Sequence, residues 1–116
     1  MPDETTTLAE LRDLVRRFVD QRDWSQFHNP KNLSMSIAIE AAELMEHFQW
    51  LNPEATGSVR DDADTMQQVR EELADVFCYA LAFSNALDID LSGALVDKLR
   101  MNEQKYPADK FRGRFR

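Results

Sequence analysis

Glu71-Glu72-Leu73-Ala74-Asp75-Val76-Phe77-Cys78-Tyr79-Ala80-Leu81-Ala82-Phe83 reads as a helix packed on most of its sides, and Asp75 is the only charge between Leu73 and Phe83. Glu72 and Asp75 stand at i, i+3, so one helix face carries both. The same arrangement occurs upstream in Ser36-Ile37-Ala38-Ile39-Glu40-Ala41-Ala42-Glu43-Leu44-Met45-Glu46, where Glu40 and Glu43 are again i, i+3 among apolar neighbours. A carboxylate in such a setting costs several kcal/mol, about 2–7 for a polar group and more for a charge, unless a cation or strong hydrogen bonds compensate. Two such pairs on two helices that a bundle can face together predict a compensating cation.

Outward from these segments the chain reads as all-α. Three glycines and four prolines in 116 residues leave little punctuation for a many-stranded fold. Leu8, Leu11, Val15, Phe18 and Val19 follow helical spacing, with Thr6 or Thr7 as N-cap and the helix fading near Asp23. Residues 24–32 read as an ordered loop, and Pro30 disfavours helix at Asn29. Asn32 is the expected cap of a second helix running to about Trp50, and Leu51-Asn52-Pro53 ends it. Ser58 and Asp61 resemble a capping box for a third helix reaching Ala86 or Leu87. Asp90 or Ser92 caps a fourth, which Pro107 stops after Tyr106. The expectation is a four-helix bundle-like single domain over residues 1–116, with an irregular basic tail from about residue 108.

Composition narrows the function. A net charge of −7 argues against a partner that is a nucleic-acid polymer. No apolar run approaches the roughly 20 residues that span a bilayer, and Met1-Pro2-Asp3-Glu4 does not read as a signal peptide. Cys78 is the single cysteine, so neither an internal disulfide nor a thiolate cluster is expected, and the cytoplasm is the natural compartment. Basic charge collects at one end: Lys98, Arg100, Lys105, Lys110, Arg112, Arg114 and Arg116 face only Glu103 and Asp109. That end is either a solvated tail or a surface that meets an anion or the acidic body of a neighbouring copy.

Glu40, Glu43, Glu72 and Asp75 converging from facing helices form an oxygen-only site, which suits Mg²⁺, with Mn²⁺ as a substitute. Di-iron bundles use Glu-x-x-His pairs, whereas the third residue after Glu40 is a glutamate, and His47 lies i+4 from Glu43. An ion held by carboxylates keeps positions for substrate phosphates. Trp24, Phe27, His28 and Trp50, at the two ends of the second helix, offer a slot for a flat base, with Tyr79 one turn beyond Asp75. Lys98, Asn102, Lys105 and Tyr106 form a polar stripe able to contact phosphate or sugar. Each of these aromatic and basic residues also has a plain structural use, as hinge, core or solvated charge.

The whole pattern resembles the MazG-like all-α nucleotide pyrophosphohydrolase superfamily, nearest its dCTP pyrophosphatase branch. The shared strings are Glu40-x-x-Glu43 with Glu72-x-x-Asp75, Arg22-Asp23-Trp24, Gln26-Phe27-His28, Pro30-Lys31-Asn32-Leu33, Phe48-Gln49-Trp50 and Asn102-x-x-Lys105-Tyr106-Pro107. The resemblance implies a Mg²⁺ site on the four carboxylates and a base and sugar pocket from Trp24, Ser25, Gln26, Phe27, His28, Trp50 and Tyr79. It implies triphosphate contacts from Lys98, Asn102, Lys105 and Tyr106, and a homo-oligomer, dimer or tetramer, whose neighbouring helices complete the site. The implied reaction converts a nucleoside triphosphate, dCTP or a modified dCTP, to the monophosphate and pyrophosphate. A different base such as dUTP, or a non-catalytic nucleotide-binding bundle, are the other readings. Animal members of the branch carry glycines where this chain has Ile39 and Ala42, and a histidine at the position that Val15 fills, departures that bear on base selectivity.

Overall fold

In the computed structural model, which describes residues 1–114, the chain is built of helices: α1 (Leu8–Gln21), α2 (Pro30–Glu46), α3 (Ala63–Ala86), α4 (Leu91–Lys105) and a single turn α5 (Ala108–Phe111). Arg116, counted above in the basic end, lies outside the described residues. No helix among the described residues is long and apolar enough to cross a membrane.

Local signals set most helix ends. The Thr7 hydroxyl accepts from the Glu10 N–H at 3.1 Å, capping α1 as expected. α1 and α3 each end in a Schellman turn with an aspartate in the left-handed position, Asp23 at φ 52 and Asp88 at φ 53. In these turns the Trp24 N–H donates to the Val19 carbonyl at 3.0 Å, and the Ile89 N–H to the Ser84 carbonyl at 2.9 Å. Aspartate tolerates that conformation better than most residues.

Three expected boundaries are corrected. Asn29, not Asn32, caps α2: its side-chain oxygen accepts from the Asn32 N–H at 2.9 Å, and Pro30 opens the helix. Proline suits the first helical turn because the N–H it lacks has no partner there anyway. α2 then stops at Glu46 rather than near Trp50. The expected connection after Asn52 is itself a 3-10 helix, Pro53–Asp61, and Asp62 replaces Ser58 as the cap of α3. The Asp62 carboxylate accepts from the Thr65 hydroxyl at 2.8 Å and the Thr65 N–H at 3.3 Å, which hold its pKa below the ordinary value. Within the tail expected to be irregular from residue 108, Ala108–Phe111 forms the single turn α5, its Phe111 ring set edge-on to Tyr106 at 5.2 Å, and residues 112–114 are not helical.

α2 packs along α3, and α1 crosses the C-terminal part of α3. Val19, Leu33, Leu81 and Ala82 are the buried apolar residues at this junction. A polar clasp holds it: the Asn85 side-chain oxygen accepts from Arg12 Nε at 3.0 Å and Arg16 Nη2 at 3.1 Å. The Asn85 amide donates to the Arg12 carbonyl at 3.0 Å. Asn85→Ala is expected to destabilise the fold by about 2 kcal/mol, because it strands two part-buried groups of Arg12 at once; urea denaturation measures this.

α4 behaves differently. None of its residues is buried, and Leu95, Val96, Leu99 and Met101 are all about half exposed or more. The radius of gyration is 17.2 Å, against about 13 Å for a compact chain of this length. A chain that is 43% hydrophobic thus leaves much of its apolar surface open on α2, α3 and α4.

Candidate metal centre

The α2–α3 pairing places Glu40 and Glu43 against Glu72, with one oxygen from each within 4.8 Å of the others. One oxygen of Glu40 and one of Glu72 are buried with no hydrogen-bond partner. Burial, the hydrogen bond that protonated Glu40 donates to Glu43, and the repulsion of Glu43, Asp75 and Glu72 together push the Glu40 pKa up from 4.5 to about 7. Burial and Glu43 raise Glu72 as well. Asp75 is exposed and outside the tight trio, yet its charge raises both. Hard oxygen donors that repel one another, two with buried unpaired atoms, fit a small divalent cation.

A pH dependence follows for the ion-free protein. Glu40 binds its proton more tightly when folded, so its contribution to stability is fully present below about 4.5 and is lost as pH rises through about 7. Urea midpoints in EDTA are expected to fall across that window. Mg²⁺ competes with the same proton, so its affinity is expected to rise over the same range.

A cleft of about 390 Å³ lies between α1, α3 and the start of α2. Val15, Val19, Ala82 and Ala86 supply its apolar wall, and Arg16, Asp20, Ser25, His28 and Asn85 its polar groups. The Ser25 hydroxyl donates to Asp20 at 3.1 Å. His28 Nδ1 is buried without a partner, and its ring lies 6.3 Å from that of Tyr79. Burial, then the charges of Glu40, Cys78, Asp75 and Glu43, raise the Tyr79 pKa.

The other residues singled out from sequence are less gathered. Trp24 packs edge-on against Phe18 at 5.7 Å, Gln26 bonds back to the Asp23 carbonyl at 3.0 Å, and Phe27 is exposed. Trp50 is 88% exposed and lines neither the cleft nor the trio among the described residues. Lys98, Lys105 and Tyr106 are exposed on α4 and Asn102 is half-buried; among the described residues no hydrogen bond or ion pair ties them to the trio. Arg16, Asp20 and Asn85 went unremarked as cleft residues. The i, i+4 spacing of Arg16 and Asp20 on the polar side of α1 was the available signal. His47, noted only for lacking the di-iron spacing, reaches Glu72, with Nε2 3.9 Å from Oε1.

The model of the MazG-like family matches residues 35–114. dCTP pyrophosphatase 1 of Rattus norvegicus is 36% identical over 92% of this chain and 63% of its own length. For the Homo sapiens protein of the same name the identity is 36%, over 88% of this chain and 60% of that one. The chain therefore spans less than two thirds of these relatives. A crystal structure of a pyrophosphatase from Archaeoglobus fulgidus superposes with a TM-score of 0.74 at 36% identity, covering 92% of this chain and 98% of that one.

Proposed function

The chain belongs to the MazG-like family, and from that premise we propose that it is a Mg²⁺-dependent nucleoside triphosphate pyrophosphohydrolase. Its substrate is dCTP or a modified dCTP, which it converts to the monophosphate and pyrophosphate as a cytoplasmic homo-oligomer. The observation that carries this reading is the meeting of Glu40, Glu43 and Glu72 across two helices, with a buried unpaired oxygen on Glu40 and on Glu72.

Glu40, Glu43, Glu72 and Asp75 are the residues that hold the ion. When bound, Mg²⁺ supplies charge neutralisation at the phosphates and activation of a water for in-line attack. The base enters the cleft, where Val15 and Ala82 exclude water and His28, Asp20 and Arg16 offer hydrogen bonds to its edge. Tyr79 stands between base and phosphates. Lys98, Asn102, Lys105 and Tyr106 complete the triphosphate site from a neighbouring copy, because α4 does not bring them to the trio of its own chain. Trp50, bare in the single chain, is likewise covered by a neighbour or by substrate. Catalysis of this kind rests on positioning and electrostatics.

The test is pyrophosphate release from canonical and base-modified deoxynucleoside triphosphates, with Mg²⁺ and with EDTA. Ion-dependent release with a cytosine base ahead of the others is expected. Binding without turnover of any triphosphate sinks the enzymatic reading.

A further inference from the structure

His47 closes α2, its backbone N–H donating to the Leu44 carbonyl at 3.3 Å, so its Cα is fixed where the helix ends. From there its side chain, only 19% exposed, lies against that of Glu72 on α3, itself 23% exposed. Nε2 stands 3.9 Å from Glu72 Oε1, within ion-pair range and a few tenths of an ångström beyond hydrogen-bond distance. Among the described residues the imidazole makes no hydrogen bond, and Glu72 is the only charged group paired with it. The other oxygen of Glu72, Oε2, is buried and unpaired. One end of this carboxylate thus faces an imidazole while the other remains available to the acidic centre.

We propose that His47 is a positioning residue: its Nε2–H holds Glu72 by one oxygen and so presents the second oxygen singly to the bound cation. The inference rests on the metal assignment above and adds a group from outside the carboxylate set. Partners of this kind orient a ligand and prepay its ordering, and losing one weakens metal binding by about 10–100-fold.

The experiment is calorimetric titration of the ion-free 116-residue chain with MgCl₂, for the native protein, His47→Leu and His47→Gln. The glutamine amide keeps an N–H donor near the same place, and leucine does not. His47→Leu is expected to bind Mg²⁺ at least about tenfold more weakly, with His47→Gln restored to within about threefold of native. Should the leucine variant fail to fold, His47→Phe keeps the ring volume without the donor and serves in its place. Native-like Mg²⁺ binding by the donorless variant overturns the inference alone, as does equal weakening by glutamine. A native chain that takes up no Mg²⁺ overturns instead the metal assignment beneath it.

Discussion

Glu43→Gln is expected to lower Mg²⁺-dependent pyrophosphate release by at least about a hundredfold, the scale on which removing one preorganised electrostatic group acts, and at the same time to raise the melting temperature of the ion-free protein. Both effects have one cause. Glu43 lies between Glu40 and Glu72, and its hydrogen bonds and charge raise the pKa of each. Without a cation the trio is a cluster of like charges that weakens the fold. Glutamine removes one of those charges and keeps the shape. Sites of this kind trade stability for function. Asp75→Asn tests the fourth carboxylate: activity should again be lost, but with a smaller gain in stability, because Asp75 is exposed and ranks below Glu43 in its effect on Glu40. Thermal melts in EDTA and in MgCl₂, read beside the turnover assay, separate the two effects. Undiminished turnover in both variants would falsify the metal assignment.

Leu99→Asp is the second substitution with a large expected effect, and its size depends on what covers α4. Leu99 is 52% exposed within the single chain, and Leu95 and Val96 beside it are similarly open. In an isolated chain, changing such a residue alters stability by no more than about 0.5 kcal/mol. Against a second copy, the same change buries a carboxylate in an apolar contact and costs several kcal/mol, about 2–7 or more. Light scattering is expected to report a dimer or tetramer for the native chain and dissociation for Leu99→Asp. Activity should fall with it, since Lys98, Asn102 and Lys105 ride on the same helix. Glu103→Ala, an exposed change on α4, is the control and should leave assembly intact. A native chain that scatters as a monomer at micromolar concentration sinks the assembly and the shared-site reading together.

Helix content and most helix ends were legible because they depend on contacts within a few residues. Thr7 caps α1, Asp90 precedes α4 and α3 runs to Ala86, all from short-range signals. The misread ends are instructive for the same reason. Pro30 keeps Asn29 extended, as expected, but it also opens α2 at the first helical position, so the cap is Asn29 rather than Asn32. Ser58 and Asp61 looked like a cap, but they fall inside a 3-10 helix and Asp62 takes the role.

The acidic side chains of the candidate site were also visible in the sequence, since a carboxylate among apolar neighbours at i, i+3 violates the ordinary pattern whatever the tertiary fold. Sequence alone therefore determined the helical class and the set of charges needing a counter-charge. Only the packing of α2 on α3 decided that three of them meet, two with buried unpaired oxygens, while Asp75 stays in solvent, and that His47 lies beside Glu72. Only the crossing of α1 over α3 opened the cleft that Arg16, Asp20 and His28 share. The physical reason is range: a helix and its stray charges are specified by neighbours along the chain, but distances between side chains on different helices depend on how the faces dock, which no spacing records.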